Sequence, residues 1–295
     1  MNFLYFDTEA LYAEAEARSA GDSGDCIVGY DEFGFSHRWI QPPVACYFVS
    51  TVDEHGNADM APISMGSATF AEPPGMDWYF TFDVQNSRQT RDNLMATGEC
   101  VISYYPSRLL KESWISGLPL PRGISEIDVA RLTPLPSHKV TPCGIQECIS
   151  NLECKIEHTY EISNSTIFIA KVVAVSVNEQ SLERDKNTPY HPGIVMDDLL
   201  YEVCIDGNPP RLAYTRMDTS QLYHTDRTLG DANAWIGTFE SWLESEVKRG
   251  RITAEEHREL SRLSQQWLAN PNPQSNAFIK QTLTEQLTDI VWRTL

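Results

Sequence analysis

Leu152-Glu153-Cys154-Lys155-Ile156-Glu157-His158-Thr159-Tyr160-Glu161 alternates with a period of two. Leu152, Cys154, Ile156, His158 and Tyr160 fall on one side, and Glu153, Lys155, Glu157, Thr159 and Glu161 on the other. Successive side chains of an extended chain point to opposite faces, so the pattern predicts a strand with one buried and one wetted face. The run that follows, Thr166 to Val177, is apolar on both faces except at Lys171, which predicts a central position in a sheet.

Working outward, Val44 to Val52 is a β-branched and aromatic run that ends at the turn sequence Asp53-Glu54-His55-Gly56-Asn57. Further strands are expected at Ile63 to Phe70, Trp78 to Phe82 and Cys100 to Tyr104, with two short helices near Arg88 to Thr97 and Ser107 to Ile115. Many strands with few helices between them predict a barrel or sandwich rather than a doubly wound sheet. After about Thr215 the period becomes helical, over Ala232–Arg249, Thr253–Ala269 and Ser275–Leu295. Thr253 and Glu256 form a capping box, Leu260, Leu263, Trp267 and Leu268 give an apolar stripe, and Asn270-Pro271-Asn272-Pro273 stops the helix. A short helix is expected at Glu9 to Ser19. The fold class is mainly β with added helices, divided into an N-terminal helix and linker (1–42), a β domain (43–214) and a C-terminal helical extension (215–295).

The 295 residues carry a formal charge of -18. Nucleic acid and anionic lipid are thereby disfavoured as partners, because phosphate backbones are bound by Lys and Arg releasing counterions. An anionic small molecule needs a local reversal of that field by Arg side chains or helix amides. Seven scattered cysteines without a Cys-x-x-Cys pair read as reduced thiols. The first twenty residues carry Asp7, Glu9, Glu14 and Glu16 where a signal peptide is apolar, and no run approaches a membrane span, so the expected compartment is the cytoplasm.

One segment combines residues that suit a ligand. Ala61-Pro62-Ile63-Ser64-Met65-Gly66-Ser67-Ala68 supplies small and hydroxylated residues, a shallow floor on which a planar ring can lie. Asn86-Ser87-Arg88-Gln89-Thr90 then opens a helix, whose first N–H groups and dipole suit a phosphate, with Ser87, Arg88 and Thr90 as a charge-assisted cradle. The same residues also read as an ordinary helix cap beside a strand of small side chains.

In the order and spacing of its motifs the stretch from Pro43 to about Val177 resembles the flavin reductase-like, FMN-binding split β-barrel family, which includes flavoredoxins. The motifs are Val49-Ser50-Thr51-Val52-Asp53, Ala61-Pro62-Ile63-Ser64, Pro73-Pro74, Ser87-Arg88-Gln89-Thr90 with Asn93-Leu94, Thr97-Gly98-Glu99, Gly123-Ile124-Ser125-Glu126, Leu132-Thr133 and Leu152-Glu153-Cys154. The resemblance implies a homodimeric split barrel holding FMN or FAD. Ser64, Met65, Gly66 and Ser67 would line the isoalloxazine, and Ser87, Arg88 and Thr90 would take the phosphate. It implies an FMN-dependent oxidoreductase acting on a small organic substrate, with NADH or NADPH as reductant. The alternatives are a flavin reductase supplying a monooxygenase partner and a non-catalytic electron carrier. The flavin carries the chemistry, so no acid–base residue is demanded. Where many flavin reductases of the family have Gly-Asp-His, this chain has Ser163-Asn164-Ser165, and a later Gly is Ala170, which weakens the generic reductase reading.

Other constellations carry less. Gly21-Asp22-Ser23-Gly24 sits among turn formers, Cys148, Cys154 and His158 lack a fourth metal ligand, Cys143 and Cys148 lack a redox spacing, and His191 and His224 are expected as solvated loop residues. Trp235, Trp242, Trp267 and Trp292 are expected in the helical core and at a dimer surface.

Overall fold

The computed structural model describes residues 44–70, 77–179 and 238–294, and the backbone of strands Leu182–Glu183, Gly193–Ile194, Leu199–Val203, Arg211–Arg216 and Gln221–Thr228. The expected helix at Glu9–Ser19, the Gly21–Gly24 loop, Pro73-Pro74, His191, Trp235 and the side chain of His224 lie outside the described residues.

The centre is a curled antiparallel sheet of seven strands, a split barrel. They are β1 (Tyr47–Val52), β2 (Ala58–Ile63), β3 (Gly66–Phe70), β4 (Trp78–Gln85), β5 (Glu99–Tyr104), β6 (Ser150–Ile162) and β7 (Ser165–Val177). Their spatial order is β2-β1-β5-β6-β7-β4-β3. β1 and β2 join through the expected turn, where Gly56 takes a φ of +79° and the Asp53 carboxylate accepts from the backbone N–H of His55 and Asn57. Register shifts between β6 and β7 at Ile169/Ala170 and Val172/Ala174 are bulges of the kind that bend a strand and deepen its twist.

β1 explains why its sequence is apolar throughout: it is buried on both faces. Tyr47 and Val49 join a cluster inside the curl with Phe80, Phe82, Ile102 and Phe168. Phe48 points the other way, stacks on Tyr105 with ring centroids 4.1 Å apart, and joins a second cluster beneath the helices. Those helices are α2 (Leu110–Ser116), α3 (Glu126–Val129), α4 (Phe239–Lys248), α5 (Ala254–Ala269) and α6 (Ala277–Thr294), whereas α1 (Gln89–Thr97) gives its buried Leu94 to the first cluster. Capping boxes open α4 at Thr238/Ser241 and α5 at Thr253/Glu256. Leu260, Leu263 and Trp267 of α5 and Leu283 and Leu287 of α6 share the second cluster with Phe48 and Met60, so the C-terminal helices and the sheet have one core in common.

Several expectations are corrected. Ile63–Phe70 is not one strand: the chain leaves β2, passes Ser64 and Met65, and re-enters as β3 at the opposite edge of the sheet. Ala58–Ile63 was not expected as a strand; its Pro62 is tolerated because β2 is an edge. In β6 burial does not alternate: Ser150 to Cys154 are all buried and the far end is exposed. Leu152 and Cys154 are buried, but Tyr160 and Ile162 are 56% and 54% exposed, because the hairpin of β6 and β7 outruns the part of the sheet that the chain itself covers. Glu153 is buried instead of wetted, its carboxylate accepting from the backbone N–H of His138 and Lys139 in the loop folded over it. Leu268 faces outward, one position off the α5 stripe. The period does not turn helical at Thr215: Gln221–Thr228 is a strand, and α4 begins at Phe239.

β7 pairs on both sides, as its two apolar faces predict. Among the described residues no helix is long and apolar enough to cross a membrane.

Candidate functional site

A cavity of about 480 Å³ opens along the free edge of β2, within the range of small-molecule and cofactor sites. Its walls are Asp59–Ile63 of β2, the end of β4 at Asp83–Gln85, the turn and first residues of α1, the Ser116–Leu120 loop with Arg122, and Thr238 and Phe239 at the start of α4. An edge strand has backbone N–H and C=O groups without sheet partners, so this wall can bond a flat polar ligand along its rim. The loop wall is anchored from behind, since Trp267 Nε1 donates to the Arg122 carbonyl at 2.6 Å and Trp292 Nε1 donates to the Val129 carbonyl at 2.8 Å.

The cation of the cavity is Arg88. It is the N-cap residue of α1, is half-buried, and among the described residues no carboxylate pairs with its guanidinium. Burial pushes its pKa below the ordinary arginine value. The N-cap side chain makes no capping bond to α1, whose first residues Gln89 and Thr90 border the same space, and the first-turn N–H groups of a helix have no intrahelical acceptor. Arg122, also in the wall, is already engaged by Asp92 at 2.7 Å. A half-buried cation beside a positive helix end can hold an anion by charge and by donors.

Three acids border the same space, Asp83 of β4 and the more deeply buried Asp59 and Glu126. Asp59 is 5% exposed and Glu126 8%. Asp59 Oδ2 accepts from Thr51 Oγ1 at 3.0 Å and from Thr90 Oγ1 at 2.8 Å, and Asn93 Nδ2 donates to Thr51 Oγ1 at 3.0 Å. Burial lifts the Asp59 pKa to about 6 despite those two hydrogen bonds. Glu126 opens α3, and its Oε2 accepts from the Met60 N–H at 3.0 Å. Burial and the nearby Asp59 push its carboxyl well above the ordinary range. The motifs quoted above include Glu126 but not Asp59. The available signal was an acid, a residue depleted in strands, set between Ala58 and Met60 just before Ala61-Pro62.

The expected site residues divide into two groups. Ser87, Arg88 and Thr90 all border the 480 Å³ cavity, with the Thr90 hydroxyl turned toward Asp59. Ser64, Gly66 and Ser67 do not line it; the floor nearest to them is Ala61–Ile63. Met65 lines a separate cavity of about 240 Å³ with Phe82, Ile162, Ser165 and Ile167, and Asp83 borders both spaces. Gly66 and Ser67 lie on β3 opposite Phe82 and Thr81 of β4. Ser163-Asn164 form the β6–β7 turn, Ser163 with a φ of +53°, and the Asn164 carbonyl accepts from the Asn86 N–H at 2.7 Å, tying this turn to the segment that opens α1. Cys154 is buried and His158 exposed, and no cluster of three or more metal-ligating side chains occurs among the described residues.

A family model described as the flavin reductase like domain matches residues 42–201, more than half of the chain. The chain belongs to the flavin reductase-like family. Solved structures with the same fold include a split-barrel protein of Shewanella frigidimarina assigned as a flavin reductase, 16% identical, with a TM-score of 0.52 over 76% of this chain and 96% of that one. The 2-nitrobenzoate 2-nitroreductase of Pseudomonas fluorescens is 18% identical, with a TM-score of 0.51 over 64% of this chain and 88% of that one. Nitrilotriacetate monooxygenase component B from Bacillus cereus is 18% identical, with a TM-score of 0.50 over 77% and 98%. In sequence, an uncharacterized protein of Pyrococcus abyssi is 31% identical over 34% of this flavin reductase-like chain, which spans 56% of that relative's length. An uncharacterized protein of Aquifex aeolicus is 25% identical over 48% of this chain and 74% of its own.

Proposed function

We propose that this flavin reductase-like protein is an FMN-dependent oxidoreductase acting on a small organic substrate, with NADH or NADPH as reductant. The observation that carries the reading is Arg88: a half-buried guanidinium without a carboxylate partner among the described residues, at the start of α1, on the wall of the cavity. With Ser87 and the α1 N–H groups it fits a terminal phosphate, and the free edge of Ala61–Ile63 fits the polar rim of an isoalloxazine. Bound FMN would supply hydride chemistry. The chain would supply the anion cradle, the edge that orients the ring, and the loop and Phe239 that keep water from it. Met65 and Ile162, large apolar side chains left exposed in the wall of the smaller cavity, and the exposed Tyr160 on the same strand as Ile162 support a homodimer that covers them. In that dimer the expected ring contacts of Ser64–Ser67 would sit near the subunit boundary.

Replacing Arg88 with Ala is expected to weaken FMN binding roughly 10- to 100-fold, as for a lost hydrogen bond to a charged group worth ~1.5–3 kcal/mol. Flavin fluorescence quenching measures it, with circular dichroism to show that the fold is kept. Wild-type affinity in the folded variant would overturn the phosphate assignment.

A second reading, a reductase that hands reduced flavin to a monooxygenase, draws support from the fold shared with nitrilotriacetate monooxygenase component B. The Ser163-Asn164-Ser165 turn speaks against it, because it lacks the His of the family's Gly-Asp-His. NADH oxidation with excess free FMN is therefore expected to be slow. Brisk, saturable turnover of free FMN would favour the second reading.

A further inference from the structure

Asp59 and Glu126 are more than nine-tenths buried, border the same cavity as Arg88, and are used by nothing in the proposed flavin site. They belong to one cluster: the Glu126 carboxylate holds the N–H of Met60, the residue next to Asp59. The charges around them come from every neighbouring element. Asp53 follows β1, Asp83 lies on β4 and borders the same cavity, Asp128 is on α3, Arg122 in the cavity loop and already paired with Asp92, Arg88 at the head of α1, and Lys280 on α6, where its Nζ holds Asn57 Oδ1 at 2.8 Å. A flavin monophosphate beside Arg88 would add about 1.5 to 2 negative charges to this set. Like charges brought together in a desolvated site oppose their joint ionisation.

We propose that the cavity takes up flavin monophosphate together with a proton from solvent, held by the Asp59–Glu126 pair. The inference rests on the FMN reading above. Thr90 is the link between acid and anion. It stands two residues after Arg88 in the first turn of α1, and its hydroxyl donates to Asp59 Oδ2 at 2.8 Å. An ionised Asp59 engages that hydroxyl as donor, so Thr90 has no O–H left for a phosphate. A protonated Asp59 donates to Thr90 Oγ1 instead and frees the Thr90 O–H to turn to the phosphate, while Thr51 keeps its place on the carboxyl. Protonation thus removes one repelling charge and completes the Ser87, Arg88 and Thr90 cradle. The sign follows: burial raises both pKa values, so the pair holds its protons at low pH and loses them as pH rises, and FMN affinity falls in the same direction.

The test uses the full chain with FMN, and with riboflavin as the probe that lacks phosphate. Above about pH 6, where the FMN phosphate has lost its second proton, FMN Kd is expected to rise about tenfold per pH unit for each proton taken up. Mixing protein and FMN in unbuffered solution near neutrality is expected to consume close to one proton per flavin bound, and riboflavin none. Asp59→Asn and Glu126→Gln, either of which suffices if the other fails to fold, are expected to flatten the pH dependence. FMN affinity that stays constant above about pH 6 without proton uptake would overturn the linkage and leave the FMN reading standing. A slope unchanged in both variants would assign the proton to the phosphate itself and likewise overturn it. No FMN binding at any pH would overturn both.

Discussion

Trp267→Ala is expected to destabilise the protein by ~3–5 kcal/mol, a large share of the roughly 5–15 kcal/mol that holds a typical domain folded. Trp267 is fully buried, and its ring lies against Gly123, where a Cβ would come within 3.0 Å of Trp267 Cζ2. Gly123 has a φ of +81°, a backbone conformation that side chains strain, so the contact joins a turn only glycine readily makes to a ring that fills the space beside it. The Nε1–H is tied to the Arg122 carbonyl, and the Lys280 ammonium sits 5.6 Å from the ring centroid. Truncation to Ala removes the packing, leaves the Arg122 carbonyl without that donor, and frees the loop that walls the cavity. FMN affinity is therefore expected to fall with stability. Trp267→Phe keeps most of the packing and loses the hydrogen bond, so it should cost only ~1–2 kcal/mol. Urea unfolding of the three proteins gives the comparison. Equal stability of wild type and Trp267→Ala would mean that α5 is merely appended to the sheet.

Gly66→Ala is the second large effect, expected to cost ~1–3 kcal/mol or more through overpacking. Gly66 looks permissive because it is exposed on an edge strand. A Cβ there would clash with the Tyr47 hydroxyl and come within 2.6 Å of the Thr81 carbonyl oxygen, which as backbone in β4 has little room to retreat. The Tyr47 hydroxyl is also fixed, donating to the Met65 carbonyl at 3.0 Å. The edge strand should loosen from β4, and thermal unfolding together with amide exchange at Thr81 and Asp83, the latter donating to the Met65 carbonyl, would report it. A variant as stable as wild type would show that β3 can slide outward without loss.

Local patterns with both partners close in sequence were legible. The Asp53–Asn57 turn, the Thr253/Glu256 capping box and the length of α5 follow from residues a few positions apart. The resemblance in motif order reached the family and the split-barrel fold. What failed depended on distant chain. Nothing near residue 64 says that Ser64-Met65 carries the chain from one edge of the sheet to the other. Glu153 is buried because residues 138 and 139 fold onto it, and Tyr160 is exposed because the hairpin projects beyond its cover. At the candidate site, Ser87, Arg88 and Thr90 were readable because a helix start announces its donors. Asp59 and Glu126 were not, since 66 residues of chain lie between two carboxyls that meet through the N–H of Met60.

The anchoring of the cavity loop bears on how this protein could acquire new preferences. Trp267 and Trp292 hold the residues around Arg122 and Val129 from the side away from the cavity. Trp292 is itself flanked by Lys111 at 4.4 Å and Arg131 at 4.8 Å from its ring centroid. Substitutions behind the wall, at Asn57, Lys111, Arg131 or Lys280, would tilt the loop by small increments while every group facing the ligand stays chemically the same. A library drawn from that rear layer would explore substrate range by breeding shape variants of one unchanged chemistry, a gentler route than replacing the facing residues themselves.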